Sequence, residues 1–286
     1  MSVAKRSAAF LALTFALSWA VAMGAHFAGV SQTQMAAVAL VGMMAGPAIA
    51  AIICVFAFEK GRRAEALGLR FRPNLWWLYA WLIPIALAAF SVIATLVLSD
   101  RTYADIGAAT AANAAAQGQD ISTVPSFLIS APFILGMAIV LGALINTPIL
   151  TFTEELGWRG YLHHLWRPSG FWRASLATGF VWGLWHAPAI YFYGLNYPDN
   201  AVLGIGLFAL YCMLMSPLLT LVRDRGGSVW AAGIFHGTVN AVGGLTILML
   251  SDPSFPWNGM VGIGGFIALA IACAFVFVLQ RQAPAS

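Results

Sequence analysis

Residues 76–98 read WWLYAWLIPIALAAFSVIATLVL, twenty-three consecutive positions without a charged side chain. A helix of about 20 apolar residues crosses the hydrocarbon core of a bilayer, and this stretch is long enough to do so alone. Comparable blocks lie at Met35–Phe58, Val202–Val222 and Met260–Leu279. The whole chain agrees with them. Of its 286 residues 61% are hydrophobic and 8% charged, against about 45–50% and 25% in soluble domains. Fourteen basic and ten acidic side chains could not cover the surface of a soluble domain of this length.

Dividing the chain at its polar breaks predicts eight spans, near 7–28, 33–58, 76–99, 126–153, 174–194, 202–222, 229–250 and 260–280. The expected fold class is all-α, a polytopic transmembrane helical bundle forming a single membrane domain over 1–286. The loops set its orientation. Lys5 and Arg6 precede the first span, while Lys60, Arg62, Arg63, Arg70 and Arg72 follow the second and Arg159, Arg167 and Arg173 the fourth. Arg223 and Arg225 follow the sixth, and Arg281 the eighth, which leaves only Arg101 on the opposite face. Lys and Arg mark cytoplasmic loops, so both termini are expected in the cytoplasm. The net charge of +4 thus reports topology and a lipid bilayer as partner, with no nucleic acid implied.

Other features read blandly. Lys5 and Arg6 ahead of an apolar stretch resemble a signal peptide, but Ser7–Val30 is long enough to span and more spans follow, so an uncleaved first helix is expected. Cys54, Cys212 and Cys273 all fall in apolar blocks without metal or redox spacing and read as packing residues. Trp76, Trp77, Trp81, Trp166, Trp172, Trp230 and Trp257 lie near expected helix ends, where indoles favour the interface. Gly204–Gly206 and Gly262–Gly265 read as sites of close helix packing. The polar, Ala-rich segment 101–123 is the longest external loop, and its reading as surface helix or irregular chain stays open.

Once the loop charges are set aside, the ionisable groups in or against the spans are Glu154, Glu155, Arg159, His186 and His236, with His26 near an outer end. Such groups are expensive in a bilayer and mark function. Thr151–Gly160 reads TFTEELGWRG at the expected cytoplasmic end of span four. Helical spacing puts Glu155 and Arg159 on one face and rotates Glu154 about 100° away, so the two carboxylates can do separate work. Span five carries Trp182-Gly183-Leu184-Trp185-His186, and span seven places His236 and Asn240 on one face at i, i+4. At 1.5 Å per residue, His236 should lie about 10 Å and His186 about 18 Å inside the cytoplasmic ends of their spans. A carboxylate, two imidazoles and an amide then meet in one leaflet. That set fits water-activated amide hydrolysis, with a carboxylate as base and donors or a metal on the oxyanion.

These three motifs, in this order on three spans, resemble the CAAX-prenyl endopeptidases and their bacterial relatives, the CPBP (CAAX protease and bacteriocin-processing) or Abi family of intramembrane proteases. The matching catalytic core runs over 129–250. The resemblance implies Glu154 as the base activating water, helped by His186, an oxyanion hole of His236 and Asn240, and Glu155 with Arg159 as a supporting pair. One departure stands out: the family's aromatic-x-x-x-His usually begins with Phe, and here it begins with Trp182. Glu154, His186 and His236 could also supply the donors of a catalytic zinc; both routes stay open, with the metal-free one as the expectation. No His-Glu-x-x-His, Gly-x-Ser-x-Gly or Gly-x-Gly-Asp occurs in the chain, which disfavours other intramembrane protease classes. The resemblance implies a membrane-associated peptide or protein substrate, and the Ala-rich composition points to a bacterial inner membrane. A non-catalytic scaffold, chaperone or bacteriocin-immunity protein of the same family is the main alternative, and a proton-relay transporter a further one.

Overall fold

Long uncharged runs can satisfy their backbone in lipid only as helices or closed barrels. Here they are helices. The computed structural model describes residues 1–33 and 35–282, and the described residues contain no named strand. Apart from helical segments of three or four residues, the helices among the described residues are α1 (Val3–Phe27), α2 (Ala36–Met44), α3 (Gly46–Phe58), α4 (Leu75–Leu98), α5 (Ile106–Ala116), α6 (Ala131–Ser169), α7 (Phe171–Trp185), α8 (Ala187–Tyr193), α9 (Ala201–Gly226), α10 (Val229–Leu248) and α11 (Ile263–Gln282). Polar side chains start several of them. Asn74 caps α4 by accepting from Trp76 N–H, Asp105 caps α5 by accepting from Ala108 N–H, and Ser228 caps α10 by accepting from Trp230 N–H.

Among the described residues seven helical segments are long and apolar enough to cross a membrane, α2 and α3 counting as one over Ala36–Phe58. The expected span at 174–194 is instead two short helices, α7 and α8, meeting at His186. Pro188 has no N–H to offer and its ring crowds the carbonyl four residues back, which ends α7 at this point. The pair still runs from one end of the bundle to the other. Trp172 near its start packs against Phe277, while Tyr193 at its finish donates to the carbonyl of Ala22.

The two ends are chemically distinct. At one, Arg6 pairs with Glu59, Trp166 donates to Ser7 Oγ, and Arg281 lies over Phe277. At the other, Arg101 pairs with Asp252, Tyr103 bridges to Leu250, and His26 stacks on Phe192. The start of α1 and the finish of α11, at Arg281, belong to the basic end. Arg159, however, is not in a loop. It is 1% exposed inside the bundle, because α6 does not stop near residue 153 but runs on for 39 residues in all, to Ser169. Segment 101–123 contains a true helix, α5, with Ile106 fully buried.

Close packing sets where the site forms. α7 lies so near α9 that a Cβ on Gly183 would overlap the backbone of Phe208 and Ala209, and one on Gly179 that of Cys212 and Met213. Of the glycines expected at close helix contacts, Gly264 packs against Ser91 and Thr95 of α4, whereas Gly204 faces the ring of Tyr197, Gly262 and Gly265 meet the turn at Pro256–Met260, and Gly206 has no neighbour within reach. We expect Gly183→Leu to destabilise the protein by about 1–3 kcal/mol or more, read as a lower thermal midpoint in detergent. An unchanged midpoint would show that α7 and α9 are free to separate.

Candidate active site

The polar run of α6 lies in a π-helical stretch, Thr151–Leu162, whose backbone bonds skip five residues rather than four. Pro148, just before it, removes one backbone donor, and such wide turns recur at functional sites. Glu154, Glu155 and Arg159 are all buried there. The expected pairing on one face is present: Arg159 Nη1 donates to Glu155 Oε1 at 3.0 Å. Arg159 Nη2 donates to Ser216 Oγ on α9 at 3.3 Å, a partner that the sequence signals only as a hydroxyl within an apolar run.

Glu155 has a second task that its spacing did not reveal. Its Oε1 accepts from Nδ1 of His236 on α10 at 2.9 Å. A carboxylate oxygen can only accept when ionised, so Nδ1 carries the proton, and Nε2 is the nitrogen left for chemistry. His186 is fixed in the same way. Its backbone N–H bonds back three residues to Gly183, and its Nδ1 donates to the carbonyl of Trp182 at 2.8 Å. Both imidazoles are therefore held by Nδ1.

Glu154 points elsewhere, as its position on the helix predicted. Its Oε2 accepts from the indole Nε1–H of Trp182 at 2.9 Å. The Arg159 guanidinium lies 4.4 Å from the centre of the same indole, and the His236 ring meets it edge-on at 5.1 Å. Trp182 thus touches Glu154, Arg159, His186 and His236 together. A cation over an indole face draws on its electron density, which makes the N–H a better donor to the carboxylate. The sequence carried a signal for this: a tryptophan where a phenylalanine is usual brings a hydrogen-bond donor as well as a ring.

Glu154, His186, His236 and Asn240 line one cavity of about 400 Å3, with Trp182 in the same wall. Residues 125–242 match the Rce1-like family of type II CAAX prenyl endopeptidases. The family resemblance read from the motifs is borne out over the segment that holds them. No curated protein matches the chain.

In this Rce1-like segment the residues divide into two sets. Glu154, His186, His236 and Asn240 line the cavity, while Glu155 and Arg159 do not line it and contact His236 and Trp182 behind it. His26 stands apart, bonded to Ser31. Most of the remaining wall is apolar, with Met43, Phe208, Tyr211, Met215 and Phe235 among its residues, and it reaches Asn196 and Asn258 in the loops away from the basic end. Glu154, His186 and His236, the donors a zinc would need, share the wall of this cavity. No three His, Cys, Asp or Glu side chains among the described residues are close enough to hold a metal ion together, so no step is routed through one.

Proposed function

We propose that this membrane protein is an endopeptidase in which Glu154 activates water against a peptide bond held inside the bundle. The observation that carries the reading is the convergence of Glu154, His186, His236 and Asn240 on one apolar cavity. Glu154 takes a proton from a water molecule, whose oxygen attacks the scissile carbonyl carbon. Nε2 of His186, unprotonated because Nδ1 holds the proton, accepts the water's other hydrogen and aims the lone pair. The oxyanion that forms is met by the Asn240 amide and by Nε2 of His236, which donates to it when the ring carries a proton on both nitrogens. Glu155 stabilises that cation, as a buried carboxylate does behind the histidine of a hydrolase triad. Collapse breaks the C–N bond, and Glu154 returns its proton to the leaving amine.

The substrate is an apolar or lipid-tethered segment of a membrane protein or peptide. A charged strand would lose its hydration in such a cavity with nothing in return. With the basic end in the cytoplasm of a bacterial cell, His236, seven residues into α10, lies towards the cytoplasmic leaflet of the inner membrane. From there the cavity extends towards the opposite half. The test is to incubate the reconstituted protein with a library of membrane-embedded and lipidated peptides and to sequence the new termini, with His236→Ala as control. Cleavage by wild type alone is expected; equal products from His236→Ala, or none from either, would count against the reading.

Trp182 supplies a finer prediction. Trp182→Phe keeps the ring in the wall but removes the N–H that Glu154 accepts from, and a hydrogen bond to a charged group contributes about 1.5–3 kcal/mol. If that bond aims the base, kcat falls by about tenfold or more while KM and the thermal midpoint stay near wild type. A change confined to KM would mean that Trp182 serves only as cavity wall.

A further inference from the structure

A second cavity, of about 450 Å3, opens at the basic end of the bundle and shares no lining residue with the first. Arg70, Arg167 and Arg223 line it together with His163 and His164, against a single carboxylate, Glu65. The acids nearby are already engaged. Asp224 takes Arg167 Nε at 2.6 Å on one oxygen and His163 Nε2 at 3.0 Å on the other. Glu65 takes Arg62 at 2.9 Å and stands 3.9 Å from Arg70.

Arg223 is the unusual member. It is half-buried, yet it has no carboxylate within ion-pair distance among the described residues; the one hydrogen bond its side chain makes there runs from Nε to the carbonyl of Arg159 at 2.9 Å. Its guanidinium lies close to Gly68, where φ is +66° and a Cβ would crowd Nη2 and Nε of Arg223. Neither terminal nitrogen of Arg223 has a hydrogen-bond partner among the described residues, and the side chain lines the cavity. A partly desolvated cation without an acid is costly unless an anion completes it, and a guanidinium fork suits phosphate oxygens.

The surroundings indicate the source of that anion. Phe71 packs edge-on against both Trp77 and Trp230, Trp77 donates to the Gly226 carbonyl, and Arg225 sits over Trp76. This is an aromatic belt of the kind found at headgroup level, and basic pockets between helices at that level take anionic headgroups. We propose that the cavity binds a phosphate-bearing anion, the headgroup of an anionic phospholipid, held by Arg223 with Arg70 and Arg167. The site is independent of the proteolytic reading. Through the Arg159 carbonyl, Arg223 touches the same helix that carries Glu154 and Glu155.

The test is native mass spectrometry of the delipidated full chain, titrated separately with phosphatidylglycerol, phosphatidylcholine and inorganic phosphate, for wild type, Arg223→Gln and Arg70→Gln. One phosphatidylglycerol should be retained by wild type at least tenfold more tightly than phosphatidylcholine, with the preference lost in Arg223→Gln and weakened at least threefold in Arg70→Gln. Should Arg223→Gln fail to fold, Arg70→Gln carries the comparison. Arginine-dependent retention of inorganic phosphate with no preference for phosphatidylglycerol would support the phosphate chemistry but overturn the lipid source. No arginine-dependent retention of either would overturn the proposal.

Discussion

Glu154→Gln is expected to abolish peptide cleavage while the protein stays folded. The amide has nearly the shape of the carboxylate, and its oxygen can still accept from Trp182 Nε1, which now holds Glu154 at 2.9 Å. What it lacks is basicity. General-base catalysis contributes about a hundredfold to ten-thousandfold, and groups that act as a unit lose most of their effect together. A loss of at least about a hundredfold in kcat follows, checked on reconstituted protein by the rate at which new termini appear. The thermal midpoint in detergent should remain close to wild type. A Gln variant that cleaves at the wild-type rate would remove Glu154 from the reaction altogether.

The second large effect is expected at Arg159, and it is an effect on folding as well as on activity. Glu155 is fully buried and answers to two partners, Arg159 at 3.0 Å and His236 at 2.9 Å. Arg159→Met removes a charge from the middle of this chain and leaves the carboxylate beside Glu154 with one partner in place of two. Breaking a buried pair from one side costs about 3–5 kcal/mol, and the stacking on Trp182 and the bond to Ser216 are lost with it. The midpoint of unfolding should fall by many degrees, and the fraction that remains folded should cleave slowly. Arg159→Lys keeps the charge but not the planar fork, so it should fall between the two. Wild-type stability in Arg159→Met would show that the cluster does not hold the helices together.

Much of this was legible in the sequence, and the rest was hidden for identifiable reasons. Uncharged runs such as 76–98 have one stable form in lipid, so their helices, and the bundle, could be read directly. The pairing of Glu155 with Arg159 was readable because it is local. Its extension to His236 was not: 81 residues separate the two partners, and no periodicity within either helix encodes which helix lies opposite. The end of the fourth span was misplaced for a related reason. A polar run normally signals exit into water, but in TFTEELGWRG the polar groups turn inward and find partners on α7, α9 and α10, so α6 continues to Ser169. The break at His186 had a local signal in Pro188, outweighed by the apolar character of residues 174–194. Trp182 was visible as a departure from the usual Phe. Its consequence appears only when Glu154 is seen to accept from the extra N–H.

The two sets of residues around the cavity also order the expected defects. Changes at Glu154, His186, His236 or Asn240 should reduce turnover with the bundle intact, since these side chains line the cavity. Changes behind it, at Arg159 or at the α7–α9 contact around Gly183, should lower stability first.

The most direct test of the central claim is a comparison of the membrane-peptide populations of cells that differ only in carrying wild-type protein or Glu154→Gln at equal abundance. The account predicts a defined group of shortened membrane-derived peptides, with common cleavage positions in apolar or lipid-tethered segments, present with wild type and missing with the Gln variant. Identical peptide populations, alongside a cellular effect that persists in Glu154→Gln, would contradict it.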